Sequence, residues 1–264
     1  MTLEAANRLN IPVAILDKKS CPARQISSSS LHVEGNFTNA EDIRQLAAKC
    51  SVLTVEIEHV SVDALENISN EFSVSIRPSP KTIRLIQDKF IQKEFLLKNG
   101  ISVGKFKSVE NNKESIISAA EGPDGYGYPL MLKSRKLAYD GKGNAVIKSI
   151  NDIDDALKQL GAKSDSSSFS SQLYVEKWAP FIMELAVMVV RGIDGVTTSY
   201  PVVQTIHKDN ICLLVIAPAQ IREDVANRAR KLAEKAVSCF DTPGVFGVEM
   251  FLLNDGNILN HFLQ

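Results

Sequence analysis

The sequence predicts an α/β unit followed by an α+β unit, and three observations carry that prediction. Apolar strand-like runs alternate with capped helices up to about Ile76, the pattern of a doubly wound parallel sheet. Pro78-Ser-Pro80 then breaks the chain, as such punctuation does between units. Beyond it the runs are longer, several are linked as hairpins, and some carry an acid inside an otherwise apolar stretch. The 264 residues are 44% hydrophobic and 23% charged, which suits an ordinary globular chain and not a disordered or fibrous one.

The first unit, residues 1–79, opens with Thr2 to Asn10 as the back end of a helix, followed by a buried strand over Ile11 to Asp17. Asn39 caps a helix running to about Lys49, with Asp42 in its first turn, where a carboxylate favours the helix dipole. A strand follows over Ser51 to Ile57, then a short helix opened by Ser61 and a strand at Ser73 to Ile76. No strand precedes the opening helix, so the usual first strand-to-helix glycine turn is missing from the pattern.

The second unit, residues 80–264, starts with short helices over Thr82 to Gln87 and Asp88 to Asn99, the latter closed by Gly100 as a C′ residue. Tyr128 to Ser134 and Ala145 to Lys148 read as a hairpin around a long glycine-bearing tip. A helix over Asn151 to Leu160 leads into the low-complexity stretch Ser164 to Ser171. Strands are read at Leu173 to Glu176, Met183 to Arg191, Val196 to Val203 and Ile211 to Ala217. A long amphipathic helix over Glu223 to Cys239 and a strand over Gly247 to Leu253 complete the series.

With 30 Lys+Arg against 31 Asp+Glu the net charge is −1. There is no general basic field to gather polyanions, so nucleic acid is not an expected partner. The apolar runs, Leu185 to Val190 among them, fall far short of the roughly 20 residues that cross a bilayer. Met1-Thr-Leu-Glu lacks the basic flank and apolar stretch of a signal peptide, so the expected location is cytoplasmic. Cys21, Cys50, Cys212 and Cys239 are dispersed, with no C-x-x-C pair, and read as reduced structural thiols.

Four features could carry chemistry. Gly141 and Gly143 permit close approach of backbone amides to an anion, beside Lys133, Arg135, Lys136 and Lys142. Neither common phosphate-loop fingerprint is present, and an ordinary hairpin loop fits the same pattern. Glu184 and Glu249 lie in apolar strands, where a buried carboxylate needs a cationic neighbour, a hard metal ion or ligand hydroxyls. Glu56 and Glu58 fall on one face at strand spacing, suiting a cation, a polar ligand or a solvated strand end. His207, read as lying between two strands, is the most site-like of four histidines, and Trp178 at a strand end also reads as a packing aromatic.

Five stretches narrow this further: Thr82 to Lys89, Leu132 to Asn144, Tyr174 to Pro180, Thr205 to Cys212 and Val245 to Phe251. Together they resemble the 5-(carboxyamino)imidazole ribonucleotide synthases of the ATP-grasp fold and, among these, the N-terminal ATP-using part of the fungal phosphoribosylaminoimidazole carboxylases of purine biosynthesis. The resemblance runs from residue 2 to about residue 258. It implies an incomplete Rossmann-like (pre-ATP-grasp) domain followed by an ATP-grasp domain. It also implies ATP and Mg²⁺ as cofactors and aminoimidazole ribonucleotide and bicarbonate as substrates, joined through carboxyphosphate.

By the same resemblance Arg84 and Lys133 hold phosphates, and Glu176, Lys177, Trp178 and Ala179 form a hinge that reads adenine, chiefly through backbone groups. Glu184 would meet the ribose hydroxyls, and Glu249 would be one of two carboxylates on Mg²⁺. Tyr139, Asp140 and Lys142 would cover the phosphates and the nucleotide substrate, Glu58 and Glu56 would lie on the imidazole ribonucleotide side, and His207 near the phosphates.

Relatives begin with a further strand and a G-G-G-Q-L-G-type loop and continue past the last strand into N-E-x-A-P-R-x-H-N, whereas this chain reads Ile258-Leu-Asn-His-Phe-Leu-Gln264. The expectation is therefore a form shortened at both ends, lacking the second metal carboxylate, for which His261 is a poor substitute because Mg²⁺ prefers oxygen. Competing readings are a non-catalytic nucleotide-binding or interaction module, and another ATP-grasp ligase of the biotin-carboxylase kind, against which the Tyr139-Asp-Gly-Lys-Gly143 loop argues. Complete relatives are expected to form homodimers.

Overall fold

The computed structural model describes residues 2–26, 29–136, 143–161, 172–208 and 211–264. The chain separates into two compact units, Met1–Arg84 and Leu85–Gln264.

In the first unit, helices α1 (Thr2–Arg8), α2 (Pro22–Ile26), α3 (Ala40–Ala47) and α4 (Val62–Glu71) alternate with the short strands β1 (Leu16–Asp17), β2 (Val33–Glu34), β3 (Val52–Leu53) and β4 (Ser75–Ile76). β1 pairs with β2 and β3 with β4, both in parallel, as the alternation predicts. Asn39 caps α3 by accepting from the Glu41 and Asp42 amides, and Ser61 caps α4 through the Ala64 amide. Ile43, Val62, Leu65, Ile68 and Val74 form the core.

The strands are shorter than their apolar runs. Of Ile11 to Asp17 only Leu16–Asp17 is paired, and of Ser51 to Ile57 only Val52–Leu53. Glu56 and Glu58 therefore sit in the bends and turn after β3, the former exposed and the latter half-buried, and do not share a strand face.

Helix α5 (Pro80–Gln87) precedes α6 (Lys89–Lys98), which Asp88 caps through the Phe90 and Ile91 amides. Gly100 takes a positive φ of 70° after α6, the C′ geometry that a side chain would resist. A four-stranded antiparallel sheet follows in the order β5 (Phe106–Val109), β8 (Leu173–Lys177), β6 (Leu130–Ser134), β7 (Asn144–Ile147). Helices α7 (Lys113–Glu121) and α8 (Ile153–Gly161) cover it, burying Ile116, Leu130, Leu132, Ile147, Ile153 and Val175. β5 and α7 lie in a stretch to which the sequence pattern assigns no element. The low-complexity stretch 164–171 lies outside the described residues.

The larger sheet has β9 (Phe181–Arg191) at its centre, with β13 (Gly244–Leu253) on one side and β11 (Val203–Lys208) and β10 (Thr197–Ser199) on the other. β12 (Ile211–Ile216) pairs with β11, and β14 (Ile258–Leu263) with β13. Helix α9 (Glu223–Ser238) lies on one face. Its Ala229, Ala233 and Ala236 are fully buried, small enough at i, i+4, i+7 spacing to let the helix settle on Leu185, Val187 and Val189 of β9 and Phe246, Val248 and Met250 of β13. Alternation then places Glu184 and Ala186 of β9, and Glu249 and Phe251 of β13, on the opposite face. No helix among the described residues is long and apolar enough to cross a membrane.

Candidate functional site

That opposite face forms one wall of a cavity of about 190 Å³ in the second unit, and β6, β8 and the start of α6 supply another. Register brings the acidic wall together. Glu184 pairs across the sheet with Thr205 and Phe251, and Ala186 faces Glu249. The Glu184 carboxylate lies in close contact with Nδ1 of His207, so the partner that an acid in this strand demanded is an imidazole. His207 lies within β11, opposite Cys212, and not in a turn between strands. Burial away from water and, less strongly, the neighbouring Glu184 charge push the Glu249 carboxyl above the usual range, while His207 and two lysines pull the other way.

The basic wall is built on Lys133 of β6, 6% exposed and lining the cavity. Its Nζ lies 3.3 Å from Oε1 of Glu176 on β8 and 3.5 Å from Nε2 of His261 on β14. Lys93 of α6 approaches the same Glu176 oxygen at 3.2 Å. Opposing this, burial raises the Glu176 carboxyl, but the two ammonium groups and His261 outweigh it and hold the carboxyl far below the glutamate range. Burial, helped by Lys133, keeps His261 well below its ordinary value, hence neutral. A bulge in the β13–β14 ladder shifts the register from Glu249↔Phe262 to Met250↔Asn260; the extra residue is His261, and such bulges re-aim side chains. His261 leans on Phe251, which stacks on Phe181.

Lys89, the first residue of α6, also lines the cavity, its ammonium 4.5 Å from the centre of the Phe262 ring. Its location is fixed by Asp88, 2% exposed, which caps α6 and also accepts a forked pair of hydrogen bonds from Arg135 just after β6, Nε to Oδ1 and Nη2 to Oδ2. The Lys89 amide in turn donates to the Arg135 carbonyl at 2.9 Å. Sequence reasoning did not single out Lys89, Lys93 or Phe251. The usable signal was an Asp cap followed at once by a lysine, which places a cation at the mouth of a helix.

The remaining expected residues are distributed as follows. Trp178 is 40% exposed just after β8, Ala179 is half-buried, and Ala179 accepts from the Phe181 amide. The Lys177 amide is committed to the Lys105 carbonyl at 2.9 Å. Arg84 belongs to the first unit, where its guanidinium is held by Asp63 and Glu66 of α4. Tyr139, Asp140 and Lys142 lie outside the described residues. Cys21 is buried, Cys50 and Cys239 are half-buried and Cys212 is exposed, all with free thiols.

Comparison with known proteins adds independent observations. The family model of the ATP-grasp domain matches residues 94–262, and that of the ribonucleotide synthetase preATP-grasp domain matches residues 1–87. Over 260 residues the chain is 52% identical to a phosphoribosylaminoimidazole carboxylase from Saccharomyces cerevisiae, covering 98% of this chain and 44% of that protein. It is 30% identical to the N5-carboxyaminoimidazole ribonucleotide synthase of Brucella melitensis, of which it covers 68%. A crystal structure of carboxyaminoimidazole ribonucleotide synthase from Aspergillus clavatus complexed with ATP superimposes with a TM-score of 0.90 at 48% identity, over 99% of this chain and 65% of that one. A second structure of that enzyme, with ADP and 5-aminoimidazole ribonucleotide, gives 0.89 at 46%, over 99% of this chain and 65% of that one. The chain thus spans less than half the length of the fungal carboxylase it matches.

Proposed function

Because the chain belongs to the ATP-grasp family, in its N5-carboxyaminoimidazole ribonucleotide synthase branch, we propose that it binds Mg-ATP in the cavity and serves the ATP-dependent carboxylation of aminoimidazole ribonucleotide by bicarbonate. The observation that carries this reading is the polarity of the cavity, with Lys89 and Lys133 on one wall and Glu184 and Glu249 on the other. A polyphosphate bridged to a divalent cation matches that division of charge.

Lys133 and Lys89 would hold phosphate oxygens. Glu184 would accept from the ribose hydroxyls once His207 yields it, and Trp178 and Ala179 would border the base, with the committed Lys177 amide taking no part. The donor set fits a hard cation: two carboxylates line one face, and Glu249 carries a carboxyl that burial and a like charge disfavour as an anion, a cost that a bound cation removes. Mg²⁺ takes one or two protein carboxylates together with substrate phosphates, so Glu249 would hold it, leaving Glu184 to the ribose. When bound, the ion neutralises phosphate charge during transfer of the γ-phosphoryl group.

Bicarbonate would accept that phosphoryl group, and the exocyclic amine of the ribonucleotide would then take the carboxyl from carboxyphosphate with release of phosphate. Glu56 and Glu58 of the first unit are assigned to the ribonucleotide, and Tyr139, Asp140 and Lys142 to covering the reacting groups. Arg84, if it serves the phosphates, must exchange Asp63 and Glu66 for them. A cytoplasmic location and self-association as a homodimer complete the proposal, the latter checked by light scattering.

The test is calorimetric titration with Mg-ATP, then assay of phosphate release with aminoimidazole ribonucleotide and bicarbonate. Lys133→Ala should weaken ATP by about a hundredfold, the usual scale for stranding one member of a buried charge pair. Unchanged affinity in that variant would remove the site assignment.

A further inference from the structure

Lys93 is buried, its side chain 3% exposed, and it does not line the cavity. It nevertheless shares one carboxylate oxygen of Glu176 with Lys133, at 3.2 and 3.3 Å. Two ammonium groups thus face one carboxylate, and the adjoining His261 is neutral, so this buried cluster carries an excess positive charge. Such an excess is costly in a desolvated site and is relieved when an anion reaches the one member open to the cavity, Lys133. The neighbouring Gln92 fixes the same helix to the other sheet: its side-chain amide donates to the Leu263 carbonyl at 2.6 Å and its oxygen accepts from the Leu263 amide at 3.1 Å. Successive residues of α6 therefore grip β14 and β8.

We propose that Lys93 is a positioning residue for phosphate binding: it stays with Glu176 as counter-ion, so that Lys133 can turn to a phosphate without leaving a bare buried carboxylate. Without Lys93, Glu176 has Lys133 as its counter-ion, and every anion must compete with Glu176 for it. This rests on the reading of the cavity as a polyphosphate site. A purely structural tie between α6 and β8 makes a different prediction, since it lowers stability and weakens all ligands alike.

The experiment titrates the full chain and its variants with Mg-ATP, inorganic tripolyphosphate and adenosine. Lys93→Met should weaken both anions by about tenfold or more, the scale of one charge-assisted contact, with adenosine unchanged. Adding Glu176→Gln to it should restore most of the loss, because the competing carboxylate is gone. Glu176→Gln alone, which keeps both lysines, should bind the anions more tightly than the wild type and covers the case in which Lys93→Met does not fold. Equal losses for adenosine and ATP, or no recovery in the double variant, overturn the proposal. ATP binding untouched by Lys93→Met also sinks it while sparing the nucleotide reading. Tripolyphosphate binding that depends on Lys93, without any ATP preference, sinks the nucleotide reading and upholds this one; binding of neither anion sinks both.

Discussion

The two walls of the cavity solve opposite problems. On the basic wall, Lys133, Lys93 and Glu176 are all nearly inaccessible to water, with both ammonium groups on one Glu176 oxygen. On the acidic wall, Glu184 and His207 are each about a quarter exposed, and Glu249 lies beside them with its carboxyl pushed upward. One wall is a closed ion cluster whose geometry is set before any ligand arrives. The other keeps a carboxylate short of positive charge, which is what a cation site requires. The contrast teaches that the buried carboxylate is neutralised within the chain on one side and left to the ligand on the other.

The sharpest way to break this contrast is to remove the anion of the basic wall. Glu176→Leu strands two buried ammonium groups, and breaking a buried pair from one side costs roughly 3–5 kcal/mol. Urea unfolding at neutral pH should show that loss; a midpoint within about 1 kcal/mol of wild type would mean that the cluster is not closed. No comparable loss is expected on the acidic wall, where water reaches both partners.

The acid limb of stability distinguishes the walls more finely. Glu176 is held far below the glutamate range by Lys133, Lys93 and His261, so its stabilising contribution is complete above the ordinary value of about 4.3. That contribution is lost as pH falls below it toward the lowered folded-state value. Glu176→Gln should flatten the stability profile below about pH 4 by up to about 1.4 kcal/mol per pH unit. An unchanged slope would show that another carboxylate dominates acid unfolding.

Legibility from sequence follows the same division. The acids of the large sheet stood out because Glu184 and Glu249 interrupt apolar runs, and period-two alternation puts them on the face opposite α9. The basic wall was legible only at Lys133. Lys89 and Lys93 sit on a helix among other polar residues, and nothing local shows that Lys93 is buried; that depends on β8 and β14 arriving from about 80 and 170 residues away, the separation that a helix pattern cannot encode. The sequence marks His261 only as a poor substitute for a metal carboxylate; its place beside Lys133 depends on a bulge that no local pattern shows. In the first unit, apolar runs overstated the strands, since pairing ends where the partner strand ends and not where the apolar residues do, and Glu56 and Glu58 lost their common face with it.

The smallest effect tests the deferred cost on the acidic wall. Glu249→Gln keeps the shape of the side chain and removes a charge that burial and Glu184 disfavour. In the absence of ligand the variant should therefore be more stable than wild type by about 0.5–1 kcal/mol, as relief of a local charge conflict commonly is. The same variant should lose the Mg²⁺ dependence of ATP binding, because the neutral amide offers the cation one weak oxygen in place of an anion. Stability and cation affinity thus move in opposite directions at this residue. Thermal unfolding with and without Mg-ATP reads both at once: a higher midpoint without ligand and a smaller ligand-induced rise. If Glu249→Gln instead lowers the ligand-free midpoint, the carboxylate is already compensated within the chain, and the asymmetry between the two walls is not one of charge.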